Sequence, residues 1–73
     1  MRIYKLYKTM MSDKVNAAMY EENGATVSFF FVPDTGEYDN FKDQINADKA
    51  QLQDADGNTM TSDQAKDYVK ELP

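Results

Sequence analysis

The segment Asp54-Ala55-Asp56-Gly57-Asn58 is where this sequence comes nearest to a metal site. A calcium loop of the EF-hand kind needs oxygen ligands at positions 1, 3, 5 and 12 and glycine at position 6. With Gly57 at position 6, position 1 is Leu52, which has no oxygen to offer, and position 12 is Asp63, shorter than the usual bidentate glutamate. Starting at Asp54 instead loses the glycine and puts Ala65 at position 12. The segment reads as an acidic turn. Paired carboxylates are present at Glu21 and Glu22 and at Asp39 and Asp43. Acid–base work needs surroundings that separate two carboxyl pKa values, and no apolar pocket is indicated around either pair. There is no histidine or cysteine, so Ser12, Ser28 and Ser62 lack a candidate base and zinc lacks its usual ligands. Three scattered glycines form no phosphate loop. These residues predict a protein that is not an enzyme and that holds no cofactor or metal.

The chain of 73 residues is long enough for one domain, residues 1–73. A domain of this size buries only about 60% of its unfolded surface, and its core supplies about 3–5 kcal/mol. Disulfides cannot add to that, which leaves good packing or a partner chain. The net charge of −5 is uneven: residues 1–20 carry four cations against one acid, and residues 21–73 carry four lysines against twelve acids. Such an acidic chain predicts no nucleic-acid binding, where phosphate neutralisation dominates affinity. No apolar run resembles a signal peptide or a membrane span, so the expected setting is the cytoplasm, with no membrane partner.

The elements follow from pattern. Residues 2–9 alternate apolar side chains with cations and predict a strand. Residues 15–21 and 26–32 flank Asn23-Gly24, a strong hairpin signal, because a type I′ turn needs φ > 0 at both central positions. A two-residue loop pairs Glu22 with Ala25, Tyr20 with Val27, Ala18 with Phe29 and Asn16 with Phe31. On the opposite face it pairs Met19 with Ser28, Ala17 with Phe30 and Val15 with Val32. Pro33 ends the third strand. Tyr38, Phe41 and Ile45 share one helical face over residues 37–47, with Asp34 or Thr35 as the expected cap. Residues 48–61 read as a loop anchored by Leu52 and Met60, with a tight turn at Asp56-Gly57-Asn58 that suits a small hairpin pairing 51–53 with 58–60. Thr61 and Gln64 fit a capping box, and Ala65, Tyr68, Val69 and Leu72 give a second amphipathic helix, closed by Pro73. The expected fold is α+β: a three-stranded antiparallel sheet followed by two short helices packed on one face.

Phe29, Phe30 and Phe31 stand in a row. Neighbouring side chains of a strand point to opposite faces, so the central ring is separated from the other two. Two helices of about eleven residues cover one face of such a sheet. With Phe29 and Phe31 inside, Phe30, Val32, Val15, Ala17 and Met19 form an apolar patch of the kind soluble monomers rarely expose. These five residues are the expected partner-binding surface.

The C-terminal half resembles small virion or tail-associated proteins of tailed bacteriophages, particularly marine ones. The residues that carry the resemblance are Phe31-Val32-Pro33-Asp34, Tyr38, Phe41, Leu52 to Asn58, Met60-Thr61 and Leu72-Pro73. Gly36 and Glu37 stand where such proteins more often have Asn and Asp, and residues 1–24 lie outside the match. The resemblance implies a phage origin and a non-catalytic structural role in the virion after synthesis in the host cytoplasm, with capsid, connector or tail proteins, or further copies of the chain, as partners. The alternative expectation is a small acidic inhibitor of a host enzyme, suggested by the acid-rich residues 21–73.

Overall fold

The structure is a computed structural model that describes residues 2–10 and 13–72. The connection expected at Met11 and Ser12, and the closing Pro73, lie outside the described residues. Its strands are β1 (Arg2–Tyr7), β2 (Ala17–Glu22), β3 (Ala25–Phe30) and β4 (Ala50–Gln53); its helices are α1 (Gly36–Asn46) and α2 (Ser62–Lys70). The sheet order is β3-β2-β1-β4, with β1–β2 and β2–β3 antiparallel and β1–β4 parallel.

The β2–β3 hairpin turns at Asn23 (φ 54°) and Gly24 (φ 80°), both in the left-handed region that a type I′ turn requires. The turn fixes the register: Glu22 stands opposite Ala25, Tyr20 opposite Val27, Ala18 opposite Phe29 and Ala17 opposite Phe30. The expected pairing continues one step further, where the Phe31 N–H donates to the Asn16 carbonyl at 3.0 Å. Beyond it the chain leaves the ladder, as the Val32 N–H donates to the Phe30 carbonyl at 2.9 Å.

The α+β class holds, but the sheet is not three antiparallel strands. It has four strands and is mixed, because Ala50–Gln53 lies parallel to β1 with Leu52 opposite Tyr4. The physical reason is burial: Leu52 has no exposed surface and fills the space between β1 and the helices. The segment expected to be a loop also closes a small hairpin. Gln53 and Thr59 form an antiparallel bridge, and the Met60 N–H donates to the Leu52 carbonyl at 2.8 Å.

Both helices pack on the face that carries Tyr4, Leu6, Ala18, Tyr20, Phe29 and Leu52. α1 buries Tyr38, Phe41 and Ile45, and α2 buries Ala65 and Val69. The rings interlock: Phe41 lies edge-on to Tyr4 at 4.9 Å and stacks on Phe31 at 5.8 Å between centroids, in arrangements that ring quadrupoles favour. Thr61 caps α2 in a complete capping box with Gln64. At α1, Thr35 occupies the cap position but its hydroxyl donates to the Val32 carbonyl instead, and Asp34 (φ 68°) forms the preceding turn. Among the described residues no helix is long and apolar enough to cross a membrane.

Candidate functional site

The sheet has one covered and one uncovered face, and pleating decides which side chain goes where. Tyr4 and Leu6 of β1 turn inward, while Ile3, Lys5 and Tyr7 turn outward. On β3, Phe29 is 8% exposed and Phe30 is 55% exposed. The registers place the outward residues in rows across the sheet. Tyr7, Ala17 and Phe30 form one row, and Gln53, Lys5, Met19 and Ser28 form the next. Beside them lie Ile3 with Gln51, and Glu21 with Thr26. Ile3 is 46% exposed, and a shallow groove runs between Ile3, Lys5, Met19, Glu21 and Gln53.

Of the five residues expected to bind a partner, the structure brings three to accessible positions. Phe30 and Val32 are half exposed, and Met19 is partly exposed between them and the centre of the sheet. Ala17 lies on the same face but has no accessible surface, because its methyl sits in the row between Tyr7 and Phe30. Val15 precedes β2 and packs, partly buried, against the interior cluster. Neither of these two can offer much area to a partner. Sequence reasoning missed Ile3, Lys5 and Tyr7 on this face. Their signal was the alternation of residues 2–9, which places Ile3, Lys5 and Tyr7 on one side and Arg2, Tyr4 and Leu6 on the other.

The polar groups elsewhere are engaged with one another. Arg2 sits over the Tyr20 ring at 4.0 Å, donates to the Tyr4 hydroxyl at 3.0 Å and reaches both carboxylate oxygens of Glu22. The Tyr4 hydroxyl donates to Gln44 Oε1, and the Tyr20 hydroxyl donates to Glu37 Oε2. Desolvation raises the pKa of both phenols above the ordinary value of 10, so they stay protonated at neutral pH. At the acidic turn, Asp54 Oδ1 accepts the backbone N–H groups of Asn58 and Asp56, each at 2.9 Å. Those bonds, the one from Asn58 first, lower the Asp54 pKa. Its oxygens face donors, as in an Asx turn. Among the described residues no three acidic side chains gather as metal ligands would, and no buried side-chain polar atom lacks a partner. Asp39 and Asp43 are exposed on the solvent side of α1, and Glu21 and Glu22 point to opposite faces of the sheet.

No protein-family model, curated protein or solved structure matches the chain. The functional reading therefore stands on the geometry of the uncovered face. That face combines apolar surface at Ile3, Met19 and Phe30 with the charges of Lys5 and Glu21, and Val32 lies exposed just past the end of β3. It can bury area against another surface.

Proposed function

We propose that this protein is a non-catalytic docking module that binds another protein through its uncovered sheet face. The observation that carries the reading is the exposure of Phe30, a large aromatic ring half in water on a face that no helix or strand among the described residues covers. Aromatic and methionine side chains are enriched at interface centres, and truncating such an anchor typically has the largest effect on affinity. The setting proposed is the one the resemblance to tailed-phage proteins implies: a structural or accessory component of a virion, held to a capsid, connector or tail protein. An inhibitor that imitates nucleic-acid charge is less well supported, since Glu22 is paired with Arg2 and Asp48 with Lys66, and the remaining acids are interspersed with lysines.

The test is particle association. Purified phage particles should contain the protein at fixed stoichiometry, and Phe30→Ser, folded by circular dichroism, should be depleted from them about tenfold or more, as loss of an anchor residue worth at least 1.4 kcal/mol requires. Absence of the wild-type protein from particles overturns the virion role. Undiminished incorporation of Phe30→Ser overturns docking through this face.

A further inference from the structure

The order β3-β2-β1-β4 leaves two sheet edges, and they differ. At the C-terminal end of β4 outward backbone groups are occupied. The Met60 N–H donates to the Leu52 carbonyl at 2.8 Å, the Asp54 N–H donates to the Asn58 carbonyl at 2.9 Å, and Gln53 bridges to Thr59. Residues 58–60 therefore sit along Leu52 to Asp54 and leave only the Ala50 end of that edge uncovered.

At β3 the edge is open. Antiparallel ladders alternate, so each second residue turns its N–H and C=O toward the same neighbour. Since Phe31 bonds to Asn16 of the β2 side, Val27 and Phe29 also face β2, and Thr26, Ser28 and Phe30 face outward. Among the described residues the Phe30 carbonyl alone of these has a partner, the Val32 N–H. Edge strands of soluble proteins are usually blunted by lysine, proline, a bulge or shortness. β3 has six residues, Ala25–Phe30, with no charge and no proline, and it pairs with β2 residue for residue without a bulge.

We propose that this edge pairs with the same edge of a second copy of the chain, antiparallel and centred on Ser28, to give a two-fold dimer with one continuous eight-stranded sheet. Three features commit the edge to a second copy. With residues 58–60 seated along Leu52 to Asp54, a β3-to-β4 contact that would propagate into a filament has little more than Ala50 to pair with, and the edge-to-edge solution that uses more open groups is the closed, isologous one. The chain carries −5 overall, yet this strand is uncharged, so self-pairing sets no like charges opposite one another. The register centred on Ser28 also matches the open groups. The two Ser28 residues exchange both backbone bonds, and each Phe30 N–H donates to the Thr26 carbonyl of the other copy, while the Phe30 carbonyl keeps its bond from Val32. Each Phe30 ring then lies beside the smaller Thr26 side chain on the uncovered face, and the two uncovered faces join into one. The inference goes beyond face docking and does not depend on it: the face is read from side chains and the edge from backbone groups. A single strand edge is a small contact, below the roughly 1,200 Å² of a standard interface, so the dimer dissociates on dilution.

The experiment is sedimentation velocity on the purified full chain up to about 1 mM, a range that reads weak affinities, together with amide hydrogen exchange at both ends of the series. The expected result is a shift from monomer to dimer and no further, with the Thr26, Ser28 and Phe30 amides slowed about tenfold or more in the dimer as their open states become rarer. Ser28→Lys and Ser28→Glu should each stay folded by circular dichroism and monomeric, because each sets like charges opposite at the two-fold axis. Mixing the two variants should restore a dimer. A monomer at every concentration overturns the proposal. So does a dimer whose Thr26 and Ser28 amides exchange as fast as in the monomer, which is what face-to-face stacking gives. Growth beyond the dimer, or no recovery on mixing the Lys and Glu variants, also overturns it.

Discussion

Phe29 and Phe30 are adjacent in the chain and lie on opposite faces of the sheet, the first packed against the Tyr4 and Phe41 rings and the second half in water. One peptide unit thus separates a residue that holds the fold together from one free to meet a partner. Truncating a core phenylalanine costs about 3–5 kcal/mol, comparable with the whole stability of a domain this small. Phe29→Ala should unfold the isolated protein, and Phe30→Ser should leave it folded. Circular dichroism of the two variants checks this; the reverse result would mean that the faces are swapped.

Gly24→Val tests the turn. A Cβ at Gly24 meets nothing within 4 Å, so the cost of a side chain there comes first from the strain of φ +80°. A β-branched residue there should lose more than about 1 kcal/mol, read as a lower midpoint in urea. An unchanged midpoint would contradict the type I′ assignment.

The two helix starts should respond differently to the same change. Thr61 accepts the Gln64 N–H within a capping box, so Thr61→Ala should cost about 0.5–2 kcal/mol. Thr35 caps no helix N–H, so Thr35→Ala should cost less than Thr61→Ala. Paired denaturation curves compare them, and equal losses would contradict the cap geometry.

Most of this fold was legible in residues 15–32 and 61–72. Asn23-Gly24 favours one turn type, and that turn sets the hairpin pairs from Glu22–Ala25 to Asn16–Phe31, while the expected Val15–Val32 pair does not form because Val32 has left the ladder. Thr61 and Gln64 mark a helix start by their spacing alone. β4 was not legible for a physical reason: Ala50-Gln51-Leu52-Gln53 sits near the edge of a sheet with one uncovered face, so a single large apolar residue suffices for it. Its partner, β1, is more than forty residues away, and four residues with one leucine look like a loop. The candidate surface was half legible. Phe30 and Met19 follow from the hairpin register, but Ile3 and Tyr7 join them only once β1 is known to lie beside β2. Ala17 was misjudged because spacing gives its face and not the shielding by its neighbours Tyr7 and Phe30.

Acid should act on Asp48 and Asp54. Hydrogen bonds from Lys66 first and Ser62 next lower the Asp48 pKa, and backbone N–H groups lower that of Asp54, both from an ordinary 3.8. Groups depressed in the folded state stabilise it above their unfolded pKa, and that contribution is lost as pH falls through the folded value. Stability should therefore be level near neutral pH and fall below about pH 4. Carboxyl chemical shifts should give midpoints below 3.8 for both residues. Lys66→Met should bring the Asp48 midpoint up and leave Asp54 unmoved; a midpoint for Asp48 that ignores Lys66 would contradict the ion pair.

The most direct test of docking through the uncovered face is site-specific photo-crosslinking in the cells that make the protein. A benzophenone amino acid replaces, one at a time, Ile3 and Phe30 on that face and Asp39 and Asp67 on the helix side. Positions 3 and 30 should yield the same discrete adduct, with one protein identified by mass spectrometry, and positions 39 and 67 should yield none. No adduct from positions 3 and 30, or the same adduct from the helix side, would contradict docking through the uncovered face.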